Sequence, residues 1–334
     1  MQLTENDVIL VTGATGLVGS HVAEQARQKG LRVRALVRAG SKTSLLEQWG
    51  VETVSGDLDQ PSTLTDVCAG VTVVIHCAAM VGDWGPTEEY RKVNVDGTRA
   101  LLDAALASGS LKRWVQISSL GVYEGRDHYG TDERTPPNSA GIDGYTLTKV
   151  ESEQLVCDTI RDRSLPGVVL RPGFIYGPRD RTVLPRLMER LRTGGFKYLG
   201  NTDKLMNNTY VGNLTQAIWL AIEKDDVVGE VFNIRDPRSV TRKEFMDTIC
   251  DAAGFARPDK VVPLPVAKFL AKAMERTWKL LGKKDAPLLN SARIKFLALN
   301  LDFSIEKALT RLGYAPSADF SDAMKSTVQS FLQS

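Results

Sequence analysis

The stretch that most constrains this chain is Val8-Ile9-Leu10-Val11-Thr12-Gly13-Ala14-Thr15-Gly16-Leu17-Val18-Gly19-Ser20-His21-Val22. Val8 to Val11 are continuously apolar, the pattern of a parallel strand covered on both faces. Gly13, Gly16 and Gly19 follow in a G-x-x-G-x-x-G spacing. They suit a tight turn, a close approach of backbone to a pyrophosphate, and close packing of helix on strand. The helix that follows would aim its N-terminal amides at the phosphates. Glycine spacing alone describes any glycine-rich turn. Here it follows a strand and opens a helix, so dinucleotide binding is the expectation. Gly13, Thr15, Gly16, Leu17 and Val18 are the residues expected along the pyrophosphate.

Strands and helices continue to alternate up to about residue 178. That alternation predicts an α/β, Rossmann-type doubly wound parallel sheet with helices on both faces. The alternation weakens after Arg179, so a smaller, mostly helical substrate lobe is expected over residues 179–334. The sheet domain would be 1–178, with about 210–236 returning to it.

The second strand, Leu31 to Val37, ends in Arg38, with Ser41 and Lys42 beyond. An acidic residue commonly holds the ribose hydroxyls there, and none is present. An arginine suits a 2′-phosphate, hence NADP ahead of NAD. Asp57, before Leu58, could accept from an adenine amino group or cap the helix that holds Leu64 and Val67. Val71 to Ala79 is a buried strand whose small end, Cys77-Ala78-Ala79, would let a cofactor lie against the backbone; His76 reads as a packed residue. The loop Met80 to Pro86 carries Val81 and Trp84 at a strand end, where substrate could lie, although a packed tryptophan is the plainer reading. Glu88 to Ala107 reads as one long helix with Asn94 and Gly97 in its middle, which is locally unfavourable and asks for a packing or functional reason.

A second constellation is Ser119, Tyr145 and Lys149. Tyr145 and Lys149 are four apart and share a helix face. A free tyrosine titrates near 10, and a neighbouring ammonium lowers that value. Tyr145 would then be the acid or base for a carbonyl–alcohol pair, with Ser119, at the end of the strand Arg113 to Ser119, bonding the same oxygen. The tyrosine–lysine spacing alone marks many surface helices; with the glycine turn and Ser118-Ser119 it becomes specific.

Composition closes off other classes. The net charge is +2, from 42 basic and 40 acidic residues, which gives no electrostatic case for nucleic acid. Cys68, Cys77, Cys157 and Cys250 form no C-x-x-C pair, and only three histidines are present, so neither a disulfide framework nor a metal site is expected and a reducing, cytoplasmic setting fits. The N-terminus lacks a signal-peptide pattern, and no run is long and apolar enough to span a bilayer. Ala267 to Leu281 carries an apolar stripe with Lys268, Lys272, Arg276 and Lys279. A substrate-lobe helix with a solvated basic face is the preferred reading there, and a helix lying on a membrane surface the alternative.

These motifs resemble the extended short-chain dehydrogenase/reductases. The resemblance rests on Thr12 to Gly19, Gly56-Asp57-Leu58, His76 to Ala79, Asn94, Ser118-Ser119, Tyr145 to Lys149 and Arg171-Pro172-Gly173. It implies that Tyr145 is the acid/base, with Lys149 and Ser119 its partners and Asn94 a supporting position. It further implies that Asp57 and Leu58 lie by adenine, Ser118 along the cofactor, and residues 172–175, with Pro172, Gly173 and Ile175, by nicotinamide. Val81, Trp84 and Gly121 are the substrate-side residues. The Val81 to Pro86 loop, Asn208 to Asn213 and Leu312-Gly313-Tyr314 resemble the 3β-hydroxysteroid dehydrogenase branch. Arg38 departs from its NAD-using members and is more similar to the NADP-using dihydroflavonol-reductase-like ones. The implied protein is a homodimer, through helices 88–107 and 145–163, that interconverts a secondary alcohol and ketone on an apolar, sterol-, flavonoid- or oxoacyl-like small molecule. Two rival readings stand beside it. One is a nucleotide-sugar epimerase clamping a diphosphate with Arg179, Arg181 and Arg186. The other is a non-catalytic dinucleotide sensor.

Overall fold

The computed structural model of the protein describes residues 1–283 and 285–333. The continuous apolar runs form strands β1 (Val8–Thr12), β2 (Arg32–Val37), β3 (Glu52–Ser55), β4 (Val73–His76), β5 (Arg113–Ile117), β6 (Gly167–Pro172) and β7 (Val231–Ile234). They make one sheet in the order β7-β6-β5-β4-β1-β2-β3, with every neighbouring pair parallel. The order reverses between β1 and β4. Open sheets of this kind bind ligands outside the strand ends at such a reversal.

Alternate residues of each strand go to opposite faces. Ile9, Val11, Val73, Ile75 and Val115 pack against helix α1 (Leu17–Gln28) on one side. Val8, Leu10, Val74 and Trp114 pack on the other against α2 (Gly97–Ala107) and α3 (Gly144–Arg163). Helix α4 (Val211–Glu223) joins α1 on the first face through Leu214, Ile218 and Ile222. Both faces are covered, which is why the strands read as unbroken apolar runs.

The long helix expected over 88–107 is present, running without a break from Thr87 to Ala107 with one wide turn at Lys92–Asp96 ahead of α2. Two expectations need correction. Asp57 does not cap the helix Leu64–Cys68, whose cap position is Thr63. Its carboxylate instead accepts from the Asp59 amide at 3.4 Å, and its own amide donates to the Thr63 hydroxyl. The loop from Gly121 to Gly144 hides a strand, His128–Thr131, which pairs in parallel with Leu301–Phe303. A partner 170 residues away leaves no local signal.

The later part of the chain adds helices α5 (Arg242–Ala253), α6 (Leu264–Leu280), α7 (Ser291–Ala298) and α8 (Phe320–Leu332). Their core holds Tyr176, Phe245, Met246, Phe320 and Met324. Asp236, just after β7, ties this part to the sheet. Its carboxylate accepts from Tyr176 Oη, Asn208 Nδ2, the Tyr210 amide and Asn213 Nδ2 at 2.8–3.1 Å. Among the described residues no helix is long and apolar enough to cross a membrane, and all four cysteines are free.

Candidate active site

The glycine turn leaves β1 at the reversal point. Gly13 has φ +67, and a β-carbon on it would lie 2.9 Å from the Ala78 amide nitrogen, so β1 and β4 meet there without side chains between them. A β-carbon on Gly19 would lie 2.3 Å from the Gly13 carbonyl oxygen, which is how α1 sits so close to the turn. Gly16 occupies the cap position of α1 with no side-chain cap and no acidic residue in the first turn. The first amides of α1 are therefore open to an anion. The residues present fit a dinucleotide pyrophosphate: a bare cradle, uncapped amides and small residues, Cys77 to Ala79, facing it across the reversal.

Beneath the turn runs a buried polar chain. The Ala78 amide donates to Thr12 Oγ1 at 3.1 Å, and Thr12 Oγ1 meets His76 Nδ1 at 2.8 Å. His76 Nε2 meets Thr98 Oγ1 at 3.0 Å, and that hydroxyl donates to the Asn94 carbonyl at 2.7 Å. Because Thr12 and Thr98 each spend their proton in one direction, the ring is neutral with hydrogen on Nε2. Burial drives its pKa down to about 3. His76 is thus a packed residue with both nitrogens used. Asn94 continues the chain sideways, accepting from the Met80 amide at 2.7 Å and donating to the Met80 carbonyl and to Thr148 Oγ1, both at 3.0 Å. Gly97, one turn on, faces Leu58, whose Cβ would be 2.7 Å from a β-carbon there. Those contacts are the reason for a polar residue and a glycine inside a helix.

Helix α3 opens with a reciprocal cap, in which Asp143 accepts from the Thr146 amide at 2.7 Å and the Asp143 amide donates to Thr146 Oγ1 at 3.2 Å. This fixes the first turn and so the direction of Tyr145 and Lys149. Ser119 follows β5 and caps a short turn, its Oγ accepting from the Gly121 amide at 2.9 Å. The same hydroxyl neighbours the Tyr145 phenol. Tyr145 is half-buried. Burial pushes its pKa up to about 12, with the Ser119 bond pulling down and the Asp143 charge pushing up. Lys149 does not do what the spacing suggests: its Nζ turns to the Ile117 carbonyl at 2.6 Å, and it is not among the groups that move the phenol. Burial lowers the lysine to about 8 against the pull of Glu153 and Cys77. Desolvation outweighs the charge effect at both groups.

Behind Lys149 lies a network that no motif announces. Ser118 Oγ donates to Glu153 at 2.5 Å, Glu153 pairs with Arg171, and Arg171 Nη1 donates to Tyr123 Oη at 2.6 Å. Tyr123 Oη passes its proton to Asn233 Oδ1 at 2.9 Å. The pair is fully buried, so either partner alone would be an uncompensated charge. Lys295, from α7, donates to the Gly121 and Tyr123 carbonyls at 2.7 Å and holds the Ser119 loop from outside. Nothing in the sequence around it marks it.

The remaining expected residues scatter around the same edge. Arg38 is exposed at the end of β2, its guanidinium without a hydrogen bond or ion pair among the described residues, and lends positive charge toward Asp59. Leu58 is buried against Gly97. Pro172 ends β6; a β-carbon on Gly173 would overlap the Asn207 carbonyl oxygen at 1.7 Å, and Ile175 packs on the sheet core. Val81 is exposed, while Trp84 spends its indole N–H on the Lys283 carbonyl at 3.1 Å. Arg179 is engaged by Glu24 at 2.7 Å and stacks on Trp49, while Arg181 and Arg186 are exposed.

Comparison with known proteins agrees with this geometry. The family model for the NAD dependent epimerase/dehydratase family matches residues 9–234. A 2-alkyl-3-oxoalkanoate reductase of Stenotrophomonas maltophilia is 30% identical over 332 residues, covering 95% of this chain and 97% of that protein. A 3 beta-hydroxysteroid dehydrogenase/Delta 5-->4-isomerase of Mycobacterium tuberculosis is 32% identical over 330 residues, 94% of this chain and 87% of that protein. The crystal structure of gox2253 superposes with a TM-score of 0.83 at 30% identity, covering 98% of each chain. With its glycine turn at the sheet reversal and its match over the whole sheet domain, this chain belongs to the NAD dependent epimerase/dehydratase family, the extended short-chain dehydrogenase/reductases.

Proposed function

We propose that the protein is an NADP-preferring dehydrogenase/reductase that interconverts a ketone and a secondary alcohol on an apolar skeleton, with Tyr145 as the acid/base. That it is an NAD(P)-dependent oxidoreductase acting on hydroxyl or keto groups follows from the family and its relatives. The finer reading is supported by one observation: Ser119 and the Tyr145 phenol are neighbours at the strand ends beside the glycine turn, and the serine pulls the phenol's pKa down against its burial.

A bound nicotinamide dinucleotide supplies or takes the hydride. Gly13, Thr15, Gly16, Leu17 and Val18 would hold its pyrophosphate, Arg38 a 2′-phosphate, Asp57 and Leu58 the adenine. Cys77, Ala78, Ala79, Ser118, Pro172, Gly173 and Ile175 would flank the nicotinamide half. Tyr145 keeps its proton across the physiological range because burial holds the phenol near 12. In the reducing direction it would give that proton to a ketone oxygen, while Ser119 bonds the same oxygen. Lys149, its Nζ held at the Ile117 carbonyl, would meet the nicotinamide ribose. The named activities of the two relatives, on an oxoalkanoate and a hydroxysteroid, support an apolar ketone as substrate. Asn94 would act by holding Met80 and α3 in place. A homodimer through α2 and α3 belongs to the same reading.

The epimerase reading loses one of its expected clamps, because Arg179 is already paired with Glu24. The test is a panel of 3-oxoacyl, sterol and flavonoid ketones followed by NADPH and NADH oxidation. Tyr145→Phe is expected to lower turnover about 10²- to 10⁴-fold with dinucleotide binding intact. Full turnover in that variant would remove the mechanism, and copurifying dinucleotide without net oxidation would favour the epimerase. Arg38→Ala is expected to weaken NADPH and spare NADH. Tighter NADH binding that ignores the substitution would overturn the NADP preference.

A further inference from the structure

Helix α6 is patterned inside out. It buries only Ala267 and Ala271, against Ile294 and Ala298 of α7. Leu264, Met274 and Trp278 are half-buried, but four large apolar side chains, Val266, Phe269, Leu270 and Leu280, point away, Phe269 being 72% exposed and Leu280 88%. A helix of a water-facing surface does the reverse, burying large side chains and exposing polar ones. Seven of the fourteen exposed large apolar residues among those described lie between residues 261 and 288. So concentrated a patch marks an interaction surface.

The charge pattern says what kind. At about 100° per residue, Val266, Phe269, Leu270 and Leu280 share an outward sector roughly 100° wide. Lys268, Lys272, Arg276 and Lys279 fill the adjoining sector, all exposed and without a hydrogen bond or ion pair among the described residues. The only acidic residue of the helix, Glu275, is turned inward and accepts from the Ser291 amide at 2.7 Å and the Ser291 hydroxyl at 3.2 Å. An apolar sector flanked by unpaired basic side chains matches the acyl boundary and the headgroups of an anionic leaflet.

The patch also adjoins the site. Beyond the end of the helix, the Lys283 carbonyl accepts from Trp84, and Asn290 Nδ2 donates to the Asp83 carbonyl at 3.2 Å. Arg293 pairs with Asp83 from the same side. The loop so held follows β4 and carries the exposed Val81. We propose that α6 and its flanks dock this protein on an anionic phospholipid surface, with the β4 loop facing the acyl boundary. This takes up the alternative reading of the stripe, a helix lying on a membrane surface, over a substrate-lobe helix with a solvated basic face. The docking does not depend on the reaction. Its use, delivery of an apolar ketone from the bilayer, rests on the function proposed above.

The experiment is co-sedimentation of the full chain with extruded vesicles, either phosphatidylcholine alone or mixed equally with phosphatidylglycerol. It is run at about 0.1 M and about 1 M salt, where the screening length falls from about 10 Å to about 3 Å. Binding is expected to the anionic vesicles at the lower salt, with loss at the higher. Phe269→Glu with Leu280→Glu should reduce partition about tenfold or more. Each of Lys272→Glu and Lys279→Glu should reduce it about fivefold or more. These side chains are exposed, so circular dichroism and NADPH binding should stay at wild-type values in every variant. The proposal is overturned if the anionic vesicles leave the protein in the supernatant at low salt, or if binding survives all four substitutions. It is also overturned if sedimentation velocity shows a self-associated species that Phe269→Glu dissolves while vesicles are ignored, which would assign the face to a second copy.

Discussion

His76 shows how one residue couples burial to pH. Its ring is neutral and fully hydrogen-bonded, and its pKa sits near 3 in the folded chain against 6.5 ordinarily. Between those values the unfolded chain holds a proton that the folded one refuses, so stability is greatest above the higher value and falls as pH drops toward the lower. We expect the stability margin of the wild type over His76→Gln to shrink by about 1.4 kcal/mol for each pH unit below about 6, read from urea midpoints. A margin that stayed constant from pH 7 to 4.5 would mean the ring takes up its proton without unfolding. Tyr145 and Lys149 are perturbed in opposite directions by the same cause, loss of water. That result could not be read from their spacing, because spacing sets proximity but not solvation.

The helix over 87–107 is the element on which the site turns. Its wide turn at Lys92–Asp96 lets Asn94 reach both Met80 and Thr148. Asn94→Ala would leave the Met80 amide and carbonyl unpaired, at about 1–3 kcal/mol each. Turnover should fall more than NADPH affinity, since the glycine turn is untouched; equal losses in both would argue against a positioning role. Gly97→Ala is expected to cost about 1–3 kcal/mol by overpacking against Leu58. Gly109→Ala meets no neighbour within 4 Å and should cost only its left-handed backbone, about 1 kcal/mol. Chemical denaturation of the pair separates packing from conformation. From the sequence, Asn94 and Gly97 could be flagged as misfits within a helix. What they fit was not visible, because Leu58, Met80 and Thr148 are distant in the chain.

At the scale of the molecule, one buried polar centre braces the sheet and a second ties the sheet to the later part of the chain. Arg171 and Glu153 link β6 to α3, and through Tyr123 and Asn233 they reach β7. Asp236 gathers four donors from Tyr176, Asn208, Tyr210 and Asn213. Asp236→Ala would strand those donors together, and a loss of about 3 kcal/mol or more is expected. Limited trypsin digestion should then cut first at Arg238 or Lys243, before any site in β1 to β6; cleavage with no preference for that segment would show that Asp236 does not tie the two parts.

The sequence by itself determined the sheet, the turn and the order in which the site residues are threaded. Those signals are local: unbroken apolar runs, three glycines at fixed spacing, a tyrosine and a lysine one helical turn apart. It also carried the family, because the same short motifs recur along nearly the whole chain. Only the tertiary structure decided which groups lose water. It set the phenol near 12 and the lysine near 8, committed Trp84 and Arg179 to structural partners, and brought Lys295 to the Ser119 loop. It also decided which side of α6 faces outward. The apolar stripe of that helix is plain in the sequence, but periodicity fixes only the width of a face. Whether that face meets a core, solvent or something else depends on what packs against it, and here the small residues, not the large ones, are turned inward.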